Sequence, residues 1–132
     1  MTVHRALLPS GWPRPKGYAN GIVARGTTVW TGGVVGWDAE GNFPDGLPAQ
    51  LRQCFENTVA VLAEAGAAPE HIVRMTWYLT DIAAYNARLA DVGAVWRHVI
   101  GRNYPAMAVV EVVRLVEDAA LVEIETIAVI PD

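Results

Sequence analysis

The sequence predicts an α+β domain, a mixed sheet of about six strands with two helices on one face, and three observations carry that reading. Leu47–Ala65 and Asp81–Gly101 repeat their apolar residues at three- and four-residue steps, the period of a half-buried helix. The stretches around them either alternate apolar with polar residues or run through valine and isoleucine, as strands do. The length of 132 residues suits one domain over 1–132, able to bury a core without a disulfide or metal staple.

The elements follow in chain order. Residues 9–17, PSGWPRPKG, hold too much proline and glycine for a regular element, so an ordered loop is expected. Asn20–Arg25 and Thr28–Val35 are β-rich and separated only by Gly26-Thr27, which predicts a hairpin. Asp38–Asn42 is a turn in which Gly41 takes the left-handed conformation. The first helix lines up Leu47, Leu51, Cys54, Phe55, Thr58, Leu62 and Ala65; Pro48 suits its first turn, and Gly66 with Pro69 marks its stop. In the next strand Val73, Met75, Trp77 and Leu79 alternate with Arg74, Thr76, Tyr78 and Thr80. Asp81 is placed to cap the second helix, whose buried stripe is Tyr85, Leu89, Val92, Trp96 and Val99, and Gly101 ends it. Strands Ala106–Val113 and Leu121–Ile130 close the chain on either side of the acidic link Glu117-Asp118.

Two helices cover one face of such a sheet. Yet Ala106–Val113 is apolar on both sides, with Ala108, Val110 and Val112 on one and Met107, Val109 and Val113 on the other, and Thr28–Val35 is similar. An uncovered apolar face calls for a second copy of the chain in a closed homo-oligomer.

Composition narrows the function classes. Hydrophobic residues make up 52% and charged residues 18%. The net charge of −4, with nine arginines and one lysine scattered along the chain, argues against a nucleic-acid partner. No apolar run approaches the roughly 18 residues that span a bilayer, and the N-terminus lacks the apolar core of a signal peptide, so no membrane partner and a cytoplasmic location are expected. Cys54 is the only cysteine, which excludes an internal disulfide, and it reads as a small buried hydrophobe. His4, His71 and His98 sit in different elements with no HxH or HExxH spacing, so neither a metal nor another cofactor is expected. Ser10, the only serine, lies in the proline-rich loop, and no Ser-His-Asp pattern exists.

The candidate chemistry sits on strands. Glu123, Glu125 and Ile127 share one face of the last strand, and Glu111 lies on the same side of its strand as Met107 and Val109. Carboxylates among valines and isoleucines are costly unless solvated or paired, and such positions favour proton-transfer roles. The alternative is a wet sheet edge or pairing with Arg74 or Arg114. Thr31-Gly32-Gly33 ends a strand either as a cradle of exposed amides for an oxyanion or as a β-bulge. Among the five tryptophans, Trp12, Trp30 and Trp37 lie near the N-terminal loop and hairpin, as walls for a flat ligand or as core and interface anchors.

Tyr18 after the proline-rich loop, Thr31-Gly32-Gly33, Asn57-Thr58, Tyr104-Pro105-Ala106, Glu111-Val112 and Val122-Glu123-Ile124-Glu125 together resemble the RidA (YjgF-like) family. These are imine/enamine deaminases once also labelled L-PSP endoribonucleases. The resemblance runs from about Tyr18 to Val129 and is most specific in YPAMAVVEVVRLVEDAALVEIETIAV. It implies a chorismate-mutase-like α+β fold, a homotrimer, small-molecule sites in clefts between subunits, and hydrolysis of reactive 2-imino or 2-aminoacrylate intermediates. It also implies catalytic roles for Glu123, which orients the attacking water, and for Tyr18. Glu125 is the near alternative to Glu123, because one extra residue falls in Glu117–Leu121. The family's turn falls on Thr31-Gly32, and its carboxylate-gripping arginine falls on Met107, next to Ala108 and two positions before Val109. Methionine neither donates hydrogen bonds nor carries charge, so that clamp is absent and the substrate-binding set Thr31, Gly32, Met107, Ala108 and Val109 becomes more apolar. Arg14, in the loop before Tyr18, is the candidate to hold a carboxylate instead. The expected function is deamination of a non-standard imine or enamine, with a non-catalytic ligand-binding or regulatory trimer as the alternative. The acidic charge counts against a nuclease.

Overall fold

The computed structural model describes residues 1–132. The chain runs through strands β1 (Arg5–Ala6), β2 (Ile22–Val23), β3 (Gly26–Trp30) and β4 (Val34–Val35) into helix α1 (Leu47–Ala63). It continues through a short 3-10 turn at Pro69–His71 into β5 (Ile72–Leu79), α2 (Ile82–Ala87), α3 (Leu89–Val99), β6 (Ala106–Glu111) and β7 (Val122–Pro131). The fold is α+β. Five strands form one mixed sheet in the order β3-β7-β5-β6, with β4 also paired to β7, and β1 with β2 makes a separate ribbon. All pairings are antiparallel except β5 with β6, whose parallel join needs the crossover that α2 and α3 supply. No helix is long and apolar enough to cross a membrane.

The core lies between the helices and one sheet face. Val122, Ile124 and Ala128 of β7 are fully buried there, and Met75, Trp77 and Leu79 of β5 share the same side by register. The α1 stripe packs on them through Leu47, Leu51, Cys54, Phe55, Thr58 and Leu62 as the periodicity predicts. Ala65 drops out because α1 stops at Ala63, and Ala67 takes a buried place instead. In β5 the register shifts between Ile72 and Arg74, so Ile72 occupies the buried slot expected for Val73.

Two elements differ from expectation. Asn20–Arg25 and Thr28–Val35 do not form a hairpin: β2 pairs with β1, and β3 pairs residue by residue with the far end of β7, from Gly26 opposite Pro131 to Trp30 opposite Ile127. The ten-residue β7 offers β3 five consecutive partners, a longer ladder than a Gly-Thr turn would close locally. The second helix is two helices. Asp81 caps α2 as expected, accepting from the Ala84 N–H at 3.0 Å. The chain then leaves helical geometry at Arg88, whose N–H reaches back to the Tyr85 carbonyl at 3.1 Å. Gly101, at φ 78°, ends α3 in the left-handed region.

The open sheet face is mixed rather than apolar. Alternation along β5 and β7 puts Arg74, Thr76, Tyr78, Glu123 and Glu125 there beside Ala106, Ala108, Val110 and Ile127. Trp30 is exposed at its rim, while Val112 and Val113 lie beyond the end of β6.

Gln50 is a buried polar side chain that bolts three segments together. Its amide donates to the Pro44 and Ala119 carbonyls at 3.3 and 2.9 Å and accepts from the Leu121 N–H at 2.8 Å. Replacing it by alanine strands those backbone groups, so Gln50→Ala is expected to cost about 3 kcal/mol and to lower Tm by roughly 10 °C in thermal unfolding.

The Cys54 thiol donates to the Val34 carbonyl at 3.1 Å, and burial pushes its pKa from 9.0 up to about 12. Between those values the folded state keeps a proton that the unfolded chain releases, so stability falls as pH rises through that window. The expected slope is up to about 1.4 kcal/mol per pH unit. Denaturant titrations from pH 8 to 11 check this, and Cys54→Ala should remove that part of the slope.

Candidate functional site

The three strand glutamates have three different fates. Glu111 accepts the Ile82 N–H at 3.0 Å and so ties the end of β6 to the first turn of α2. Glu125 accepts the Tyr78 hydroxyl at 2.5 Å, a bond that is the main reason the Tyr78 phenol is raised above its usual pKa. Glu123 has no hydrogen-bond or ion-pair partner within the chain. Of the two glutamates on β7, it alone keeps a carboxylate free for other work.

Glu123 lies against the segment between β3 and β4. A Cβ at Gly33 would stand 2.8 Å from the Glu123 carboxyl carbon, so any larger residue there would displace the end of the Glu123 side chain. The segment is a bulge: Trp30 lies opposite Ile127 and Val34 opposite Ile124, four steps against three. The Thr31 hydroxyl holds it, accepting the Thr126 N–H at 2.9 Å and donating to the Gly32 carbonyl at 2.8 Å. Thr31 is thus engaged in structure, whereas the exposed N–H groups of Gly32 and Gly33 have no acceptor in the chain. The bulge reading of this turn holds, and the bulge is what leaves the two amides unpartnered.

A second locus opens on the other side of the sheet. A cleft of about 440 Å³ lies between β6 and the helices α2 and α3. Met107 and Val109 line it, opposite Met75 and Trp77 in the β5 register. The loop carrying Tyr18 is tied to the start of β6 by the Ala19 N–H donating to the Pro105 carbonyl at 2.9 Å, which brings Tyr18 to the same cleft. Trp77, Tyr85, Trp96 and Tyr104 form its aromatic wall, with Trp96 stacked on Tyr104 at 6.3 Å and Trp77 edge-on to Tyr85 at 6.2 Å. Burial pushes the Tyr85 phenol up, so it stays a neutral donor. Lys16 and Arg97 stand at the rim, and no carboxylate lines the cleft.

The structure therefore divides the sequence-derived site residues. Glu123, Gly32 and Thr31 lie together at the open face; Tyr18, Met107 and Val109 lie together in the cleft on the helix-covered side. Ala108 alternates to the open face, opposite Thr76. Arg14 joins neither group; it lines an adjoining cleft with Arg102, which meets the first only at Gly17, Tyr18 and Tyr104. Trp12, Trp30 and Trp37 are exposed, and the cleft tryptophans are Trp77 and Trp96, which the periodic pattern marked only as core. Arg97 directly follows Trp96 of the buried stripe and is exposed, so the helical period alone does not mark it. No group of three metal-ligating side chains occurs.

Glu111→Ala should remove the acceptor for the Ile82 N–H, costing about 1 kcal/mol and a few degrees of Tm, with the far-ultraviolet spectrum otherwise retained.

Comparison with known proteins places these features in a family. The family described as endoribonuclease L-PSP matches residues 13–130. A RutC family protein of Haemophilus influenzae is 36% identical over 105 residues, covering 79% of this chain and 80% of the relative. Escherichia coli TdcF, provisionally assigned as a reactive intermediate deaminase, is 32% identical over 108 residues, 79% of this chain and 80% of TdcF. Among solved structures, the Rid family protein YyfB of Yersinia pestis superposes with a TM-score of 0.84 at 28% identity, covering 96% of this chain and 98% of YyfB. Escherichia coli TdcF with bound serine superposes at 0.68 with 29% identity over 95% of this chain and 98% of TdcF.

Proposed function

This chain belongs to the RidA family, the endoribonuclease L-PSP group, and from that premise we propose that it is a hydrolytic deaminase of a small imine or enamine, acting as a cytoplasmic homotrimer of one-domain subunits with sites in the clefts between them. The unpartnered Glu123 carboxylate beside two unpartnered backbone amides is the observation that carries this reading.

In the proposed step Glu123 takes a proton from water as the oxygen bonds to the imine carbon, and passes that proton to the imine nitrogen to give the neutral carbinolamine. The carbinolamine then collapses: Glu123 takes the hydroxyl proton and hands it to the nitrogen as the C–N bond breaks, leaving the carbonyl product and ammonia. An enamine first gains a proton on carbon and loses one from nitrogen to become the imine. The free N–H groups of Gly32 and Gly33 are placed to receive a carboxylate or developing oxyanion. Tyr18 orients the substrate from the cleft side. In one chain Glu123 and Tyr18 stand on opposite sides of the sheet, which supports a site completed across a subunit boundary. Methionine at 107 favours a substrate not gripped there by its carboxylate. The same residue favours a second reading, a ligand-binding trimer without turnover. The net charge of −4 and the Glu123–Glu125 pair on the open face speak against a nuclease.

Freshly generated 2-iminobutanoate tests the proposal. The wild type is expected to accelerate ammonia release, and Glu123→Gln to lower kcat/KM about 100-fold or more with Tm unchanged, whereas Glu125→Gln has a few-fold effect. Wild-type protein inert toward every imine offered would favour the ligand-binding reading instead.

A further inference from the structure

The cleft on the helix side has a chemistry of its own. Five aromatic side chains, Tyr18, Trp77, Tyr85, Trp96 and Tyr104, line it together with Met107 and Val109. Its volume of about 440 Å³ falls within the roughly 300–1,000 Å³ of small-molecule sites. The indole N–H groups of Trp77 and Trp96 are both buried without an acceptor, although the residues are only 2% and 5% exposed. These N–H groups lie in the packed core, so the two indoles serve the cleft only as apolar wall. The only charges at the cleft, Lys16 and Arg97, are positive, and neither takes part in an ion pair within the chain. The adjoining cleft adds Arg14 and Arg102, again with no carboxylate. In a protein of net charge −4, this local absence of acids selects the sign of the ligand.

We propose that this cleft binds a flat, aromatic monocarboxylate, its ring between the Trp77–Trp96 wall and Met107, its charged end toward Arg97 and Lys16. An aromatic ring slots against such a wall by offset and edge contacts, and the thioether of Met107 adds a favourable sulfur–ring contact that an arginine would not. The arginine fork at 97 sits one helical turn beyond Gly93, which lines the same cleft. The inference deepens the deaminase reading by assigning the substrate class as an aryl-substituted 2-imino acid.

Gly93 supplies a clean blocking variant. It lies inside α3, and a Cβ there meets only the flexible end of Arg97, at 3.3 Å. Leucine at this position fills the cleft while improving helix propensity, so Gly93→Leu is expected to keep or raise Tm.

Phenylpyruvate, pyruvate and phenylacetone, titrated calorimetrically into the full-length protein, separate the contributions. Phenylpyruvate should bind at least 10-fold more tightly than pyruvate, which lacks the ring, and than phenylacetone, which lacks the carboxylate. Gly93→Leu should weaken phenylpyruvate at least 10-fold, and Arg97→Gln should bring it close to phenylacetone. Equal affinity for all three ligands, or phenylpyruvate binding untouched by Gly93→Leu, would overturn the proposal. Parallel rates with 2-iminobutanoate and 2-imino-3-phenylpropanoate keep the two readings apart. Hydrolysis of both imines at equal kcat/KM, unaffected by Gly93→Leu, sinks the aryl site and leaves the deaminase standing. Tight phenylpyruvate binding with neither imine hydrolysed sinks the deaminase and leaves the aryl site standing.

Discussion

The register of β7 is the constraint on which the rest of the molecule depends. This strand is hydrogen-bonded to β3, β4 and β5, so its alternation is imposed on three neighbours at once. Val122, Ile124, Thr126 and Ala128 go to the helices, and Glu123, Glu125 and Ile127 go to the open face. A slip of one residue would drive two carboxylates into the core and expose the branched side chains, at a cost in desolvation far beyond the stability of a small protein. Pairing with β5 then sets the side on which Met75 and Trp77 lie, and pairing of β5 with β6 carries the same choice to Met107 and Val109.

That single alternation also separates two chemistries. The open face collects Glu123, the Tyr78–Glu125 bond and the free amides at Gly32-Gly33. The helix side collects the aromatic side chains and, at its rim, unpaired cations. Met107 belongs to the aromatic side by register and lines the cleft there with Val109, away from the face that carries Glu123.

Much of this was legible from residues in order. The α1 stripe, the Asp81 cap, the alternation of β5 and the opposed faces of β7 all follow from periods of 3.6 and 2, which are local properties. The motif around Tyr104-Pro105-Ala106 and Val122–Glu125 likewise identified the family. Other features were not legible. A Gly-Thr junction between two β-rich stretches looks like a hairpin until β7, a hundred residues away, competes for β3. Glu111, Glu123 and Glu125 look alike in sequence, and only the Ile82 amide and the Tyr78 hydroxyl distinguish them. Arg14 is close to Tyr18 along the chain, yet the loop turns it into the adjoining cleft and leaves Arg97 and Lys16 at the aromatic one.

Fold class, the faces of helices and strands, and the family can be read along the chain, because each is written in spacings of a few residues and needs no knowledge of distant partners. Which glutamate stays unpaired, which tryptophans wall a cleft, and that Glu123 and Met107 stand on opposite sides of the sheet emerge only once the chain is folded. Those outcomes depend on which strands pair and which donors reach which acceptors, and pairing is settled by competition among segments far apart in the chain.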